Sequence, residues 1–104
     1  MIELKSPEVE RNLVLSTGHM TKQDSKILEA AATGNQATGL IVYSSECWFL
    51  VYCFQETAIN VALREGYISK DLHRCLRIGN AMGCTFVKFD RDGPSHDELP
   101  SHDW

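Results

Sequence analysis

Ser16-Thr17-Gly18-His19 places two hydroxyls, a glycine and an imidazole in one run. An apolar stretch, Asn12–Thr17, leads into it, and an amphipathic stretch follows Thr21. The run therefore lies where a strand feeds a helix. Hydroxyls and the free N–H groups of a helix start bind anions, and a glycine lets the backbone come close. His19 adds a group that exchanges protons near neutral pH. Asp90 and Asp92, in Asp90-Arg91-Asp92-Gly93, supply carboxylates that would form an acid–base pair with His19 if the two segments meet. This outlines a small hydrolase or nucleotide-handling enzyme using Ser16, Thr17, His19 and Asp90 or Asp92. The competing account is structural: Ser16 and Thr17 satisfy strand-end backbone groups, and His19 closes a turn. The run lacks the Gly-Lys-Ser/Thr of a phosphate loop, which leaves the enzyme reading without a motif.

Other residue types capable of chemistry are more scattered. His96-Asp97 and His102-Asp103, with Asp90 and Asp92 upstream, are suitable ligands for a divalent metal, but their spacing is not that of a zinc site. We expect neither a metal nor a cofactor. Cys47, Cys53, Cys75 and Cys84 form no Cys-x-x-Cys pair and fall within apolar runs, so they read as reduced core residues. A nucleophile built from Cys84 and His19 has no supporting motif. Lys70, His73, Arg74 and Arg77 form a modest basic stripe on one helix face, with solvation as its default role. Trp104 follows a polar, acidic stretch, either as an anchor in an apolar slot or as a hook for a partner. Anchoring accounts for it better, because a docked indole buries roughly 150–250 Å².

These residues must be positioned by elements, and the pattern gives seven. Asn12–Thr17 reads as a short strand with Leu13 and Leu15 on one face. Thr21 and Asp24 give a near capping box for a helix whose face carries Ile27, Leu28 and Ala31, stopped by Gly34-Asn35. Gly39–Tyr43 and Cys47–Phe54, separated by Ser44-Ser45-Glu46, read as a β-hairpin. Glu56–Glu65 is a short helix ended by Gly66. Ser69 caps a third helix with a stripe of Leu72, Cys75, Leu76, Gly79 and Met82, ended by Gly83. Cys84–Phe89 is the last strand. The order is β-α-β-β-α-α-β, an α+β domain with a four-stranded, mostly antiparallel sheet and three helices. Trp48–Phe54 lacks polar alternation, so that strand is expected to be covered on both faces, by helices split across the sheet or by a second copy. If the first and last strands are parallel neighbours, Ser16–His19 and Asp90–Gly93 meet at one edge.

Composition bounds the remaining options. The chain has 104 residues, 43% hydrophobic and 23% charged, enough for one domain with a core of its own. Residues 1–10 are polar and aperiodic, and are expected to form a flexible arm ahead of a single domain over 11–104. The longest apolar run, Cys47–Phe54, is too short to span a membrane. Met1-Ile2-Glu3-Leu4-Lys5-Ser6-Pro7 has no basic region leading into an apolar one, so a cytoplasmic location is expected. The net charge of −4 argues against a nucleic-acid binder with a basic surface. Acids and bases balance over 1–89, and the whole imbalance lies in 90–104, where Asp90, Asp92, Asp97, Glu98 and Asp103 face Arg91 alone. With Trp104, these acids are the expected partner-binding residues.

Two ends of the chain carry a resemblance. Ser16-Thr17-Gly18-His19-Met20 and the ending Phe89-Asp90-Arg91-Asp92-Gly93-Pro94, with Leu99-Pro100 and Asp103-Trp104, resemble a family of short uncharacterised bacterial proteins. The aromatic strand around Trp48–Tyr52 and the junction Glu65–Ser69 fit the same pattern, so the resemblance covers all but the first ten residues. Such proteins are typically carried on plasmids, prophages and genomic islands and have no assigned enzyme activity. The resemblance implies a genomic setting rather than a mechanism. By analogy, an accessory protein in that setting binds a host or phage protein, as an inhibitor or modulator of a host or defence factor. A homodimer is also expected.

Overall fold

The computed structural model describes residues 2–6, 8–34 and 38–104. Alternation builds its sheet. In β1 (Asn12–Ser16), Leu15 is buried and Leu13 packs beside it, while Val14 is exposed. In β4 (Phe86–Asp90), Val87 and Phe89 are fully buried on either side of Lys88. β2 (Val42–Ser44) and β3 (Trp48–Tyr52) form the hairpin, with Ser45 N–H donating to Trp48 O at 2.9 Å. The sheet order is β1-β4-β3-β2, with β1 and β4 parallel and the other pairs antiparallel. The fold is α+β and mostly antiparallel, in the expected order.

The strands differ from the apolar runs at their ends for local reasons. The Gln55 amide bonds both backbone groups of Ile41, whose carbonyl also accepts the Tyr52 N–H at 3.2 Å, so regular strand pairing begins only at Val42. Cys84 N–H donates to Gly79 O at 2.9 Å and closes the preceding helix, so β4 begins later. One turn of 3-10 helix over Thr17–His19 was not foreseen; Ser16 Oγ caps it.

The helices are α1 (Lys22–Ala32), α2 (Glu56–Arg64) and α3 (Lys70–Ala81). α1 has a full capping box between Thr21 and Asp24, and Gly34 beyond its end takes φ +96°; Asn35 of the expected stop lies outside the described residues. Leu28, Ile59, Ala62, Leu72, Cys75 and Leu76 join Val51, Val87 and Phe89 in one buried cluster. A Cβ on Gly79 would lie 2.5 Å from Val87 Cγ2 and 3.1 Å from Cys53 Sγ, so α3 rests directly on the sheet there. Met82, expected in the core stripe, instead ends α3 and is half exposed.

Of the two expected ways of covering Trp48–Phe54, helices split across the sheet or a second copy, the first is corrected. All three helices cover the face that carries Val51, Val87 and Phe89. Trp48, Leu50 and Tyr52 point to the opposite face, where they are only half-buried. The run reads as continuously apolar because its outward positions are aromatic or aliphatic rather than polar. Residues 2–6 and 8–10 contain no helix or strand, and Ile2, Leu4 and Val9 are exposed.

Candidate functional site

Parallel pairing sets Ser16 opposite Asp90, so the two polar segments meet at the ends of β1 and β4. Ser16 N–H donates to Pro94 O at 2.9 Å across this junction. Gly93 makes it possible: a Cβ there would lie 2.8 Å from Leu15 O. The polar groups are occupied locally. Ser16 Oγ accepts the Gly18 N–H at 3.1 Å. Asp90 Oδ1 accepts the Asp92 N–H at 2.9 Å, and its Oδ2 lies 3.9 Å from Lys88 Nζ. The Asp92 side chain is exposed.

His19 has no accessible surface. Its Nε2 accepts the His96 N–H at 2.9 Å, which fixes the ring proton on Nδ1. Nδ1–H then donates to Pro100 O at 2.9 Å. Both nitrogens are committed to the backbone of the C-terminal segment, leaving none for a substrate or for the buried Cys84. The imidazole clamps one segment of chain to another.

The starts of α1 and α3 are occupied as well. Asp24, 1% exposed, accepts Thr21 N–H at 2.9 Å, Ser69 N–H at 2.8 Å and Ser69 Oγ–H at 2.5 Å. Ser69 is also the N-cap of α3, accepting Leu72 N–H at 3.1 Å. One carboxylate thus sits at the N-termini of both α1 and α3, where helix dipoles favour negative charge. The helix start expected to complete an anion pocket beside Ser16–His19 is capped by the protein's own Thr21 and Asp24.

The C-terminal segment is built into the body. Leu99 belongs to the buried cluster. His102 N–H donates to Gly18 O at 2.7 Å, and its ring Nε2 meets Asp71 Oδ2 at 2.6 Å. Trp104 Nε1–H donates to Met20 O at 3.0 Å, yet the residue is 51% exposed. Its indole is tethered by its polar edge without being buried. Asp92, Asp97, Glu98 and Asp103 all face solvent. Among the described residues, no three His, Cys, Asp or Glu side chains gather as a metal site, and no helix is long and apolar enough to cross a membrane.

The basic stripe lies on the exposed side of α3, partly neutralised. Arg77 pairs with Glu56 of α2. His73 Nε2 meets Asn60 Oδ1 at 2.9 Å; burial and the Arg77 charge hold this imidazole below its ordinary value.

Two features escaped the sequence reading. Cys47 was taken as a core residue, but it is half-buried in a cleft of about 200 Å³ with Thr17, Glu46, Trp48, Arg91 and Trp104. Arg91 Nη2 lies 3.5 Å from its sulfur. The signal was its place directly after the polar Ser44-Ser45-Glu46 turn, at a strand end rather than inside one. Asp24 was read only as a capping residue, because its second partner, Ser69, is remote in sequence. A second cleft of about 280 Å³ lies between α3 and the C-terminal segment, lined by Leu13, Arg74, Ile78, Met82, Glu98 and Leu99.

A family model matches residues 12–104, described as the C-terminal domain of a family of unknown function, DUF5983. Neither a curated protein nor a solved structure matches the chain.

Proposed function

The chain belongs to this family of unknown function through residues 12–104, and from that premise we propose that it works by binding another protein through its acidic C-terminal ridge. The ridge comprises Asp90, Asp92, Asp97, Glu98 and Asp103, with Trp104 beside them. On this reading it is a small cytoplasmic accessory protein of a mobile genetic element, such as a plasmid or prophage. It inhibits or modulates a host or phage-defence protein. The partner presents a basic surface, because opposite charge steers encounter and sets register.

One observation carries the reading. The segment holding all the net charge is pinned from inside by His19, Leu99 and His102, while its carboxylates face outward. A segment already held in place loses little conformational freedom on binding, so its charges are spent on recognition. The half-exposed Trp104 indole fits the same role, since aromatic residues anchor interfaces. No comparable observation favours acid–base chemistry, as both nitrogens of His19 are in use.

The test is affinity capture from the native host with the wild-type chain and a triple variant, Asp97→Asn, Glu98→Gln and Asp103→Asn. These side chains are exposed, so the fold should be retained. We expect one protein to be captured by the wild type, released by raised salt, and absent with the triple variant. Equal capture by both proteins would refute the ridge as the binding surface.

A further inference from the structure

The sheet has a face that no helix among the described residues covers. Val14, Lys88, Leu50 and Tyr43 lie in one row across the four strands, one register step from the buried row of Leu13, Val87, Val51 and Val42. Phe86 and Tyr52 form the next row, with ring centroids 5.6 Å apart. Tyr43 and Phe54 close on that pair edge-on at 6.2 and 5.8 Å, and each is 55% exposed. With strands ~4.8 Å apart and ~3.3 Å per residue, three strands of five residues and one of three project on the order of 300 Å². The largest apolar patch on a soluble protein is commonly of that order and is often functional.

We propose that this face is the interface of a homodimer, in which a second copy packs sheet against sheet. This goes beyond the acidic-ridge reading and does not depend on it; Asp90 is shared by the ridge and this face, and the triple variant leaves it unchanged. Charge selects the occupant. The face carries one cation and one anion, Lys88 and Asp90, 3.9 Å apart, with the Lys88 ammonium also 5.5 Å above the Trp48 ring. A two-fold axis sets a patch against itself, which is tolerable only when the patch has no net charge. A basic or acidic partner would gain nothing from such a surface. Of the other acids of the C-terminal segment, Glu98, with Leu99, lines the cleft against α3, on the helix side of the sheet. Two sheets meeting face to face at ~10 Å would bury the aromatic rows of both copies, leaving helices as the outer layers.

The test is molar mass by light scattering and sedimentation over a wide concentration series. Wild-type protein should move from the mass of one chain to twice that mass as concentration rises. Leu50→Lys places a charge at the centre of the face and should weaken association about tenfold or more, because two uncompensated charges would be buried. Tyr43→Lys changes an exposed edge residue that the core does not need, and should weaken association in the same direction. Circular dichroism and thermal melts establish that both variants are folded. The triple variant of the acidic ridge should dimerise as the wild type does. Wild-type protein that keeps the mass of one chain at every concentration would overturn the proposal. So would a dimer that survives both lysine substitutions in folded protein, or one lost with the acidic triple, since either result would place the contact elsewhere.

Discussion

Buried polar side chains in this protein act as joints. His19 is held in one tautomer by a donor and an acceptor on the same downstream segment, and Asp24 takes three donors from two helix starts. Neither was recognisable as a joint from composition, because the partners are backbone groups or residues far along the chain. His19 lies 77 and 81 positions from the groups it meets, and Asp24 lies 45 from Ser69. A histidine between a strand and a helix looks catalytic until those partners are known. The cysteines divide in a way that can be measured. Burial, chiefly, pushes the Cys53 and Cys75 thiols from 9.0 up to about 11. The folded chain thus holds these protons more tightly than the unfolded chain does. The stability they confer is complete below pH 9 and is lost as pH rises through about 11. Urea midpoints taken across that window should fall with rising pH. In native protein near neutral pH, a thiol reagent should label Cys47 first, with Cys53, Cys75 and Cys84 reacting only on unfolding. Mass spectrometry of labelled peptides checks both the order and the site.

Among the elements, the contact of α3 with the sheet is the tightest. Gly79→Ala would drive a methyl group against Val87 and Cys53, and overpacking of this kind costs about 1–3 kcal/mol. A urea titration should show the midpoint falling with its slope unchanged; an unaltered midpoint would mean that the sheet yields at Val87. The helices were readable because their signals are local: Thr21 with Asp24, Ser69 with Leu72, and Gly66 and Gly83 at the exits. The hairpin was readable for the same reason. The parallel pairing of β1 with β4 left only a conditional trace, because strands joined by the rest of the chain share no turn. The aromatic strand left its cover open between helices and a second copy. Trp48, Leu50 and Tyr52 satisfy the pattern of two-sided burial while facing a side that no helix covers.

At the scale of the whole molecule, the C-terminal segment belongs to the domain. Deleting residues 95–104 would remove Leu99 from the core and strip His19 of both partners. A buried leucine alone accounts for about 2–5 kcal/mol when cut back, comparable to the total stability of many small domains. We expect the deleted protein to lose its cooperative unfolding transition and to be digested rapidly by a nonspecific protease. A resistant, cooperative body would show that the segment is dispensable to the fold. This is why the binding surface is best probed by neutralising exposed acids, leaving the segment in place. The pairing of Asn12 with Phe86 also imposes an order in time. During synthesis, the first strand emerges with no neighbour to join, and waits through the hairpin and all three helices. Its berth, β4, is made only after all of these, and the clamp that locks it is made later still. Completion of the sheet therefore waits for β4, and until then the edge of β1 is the part of the nascent chain most in need of protection.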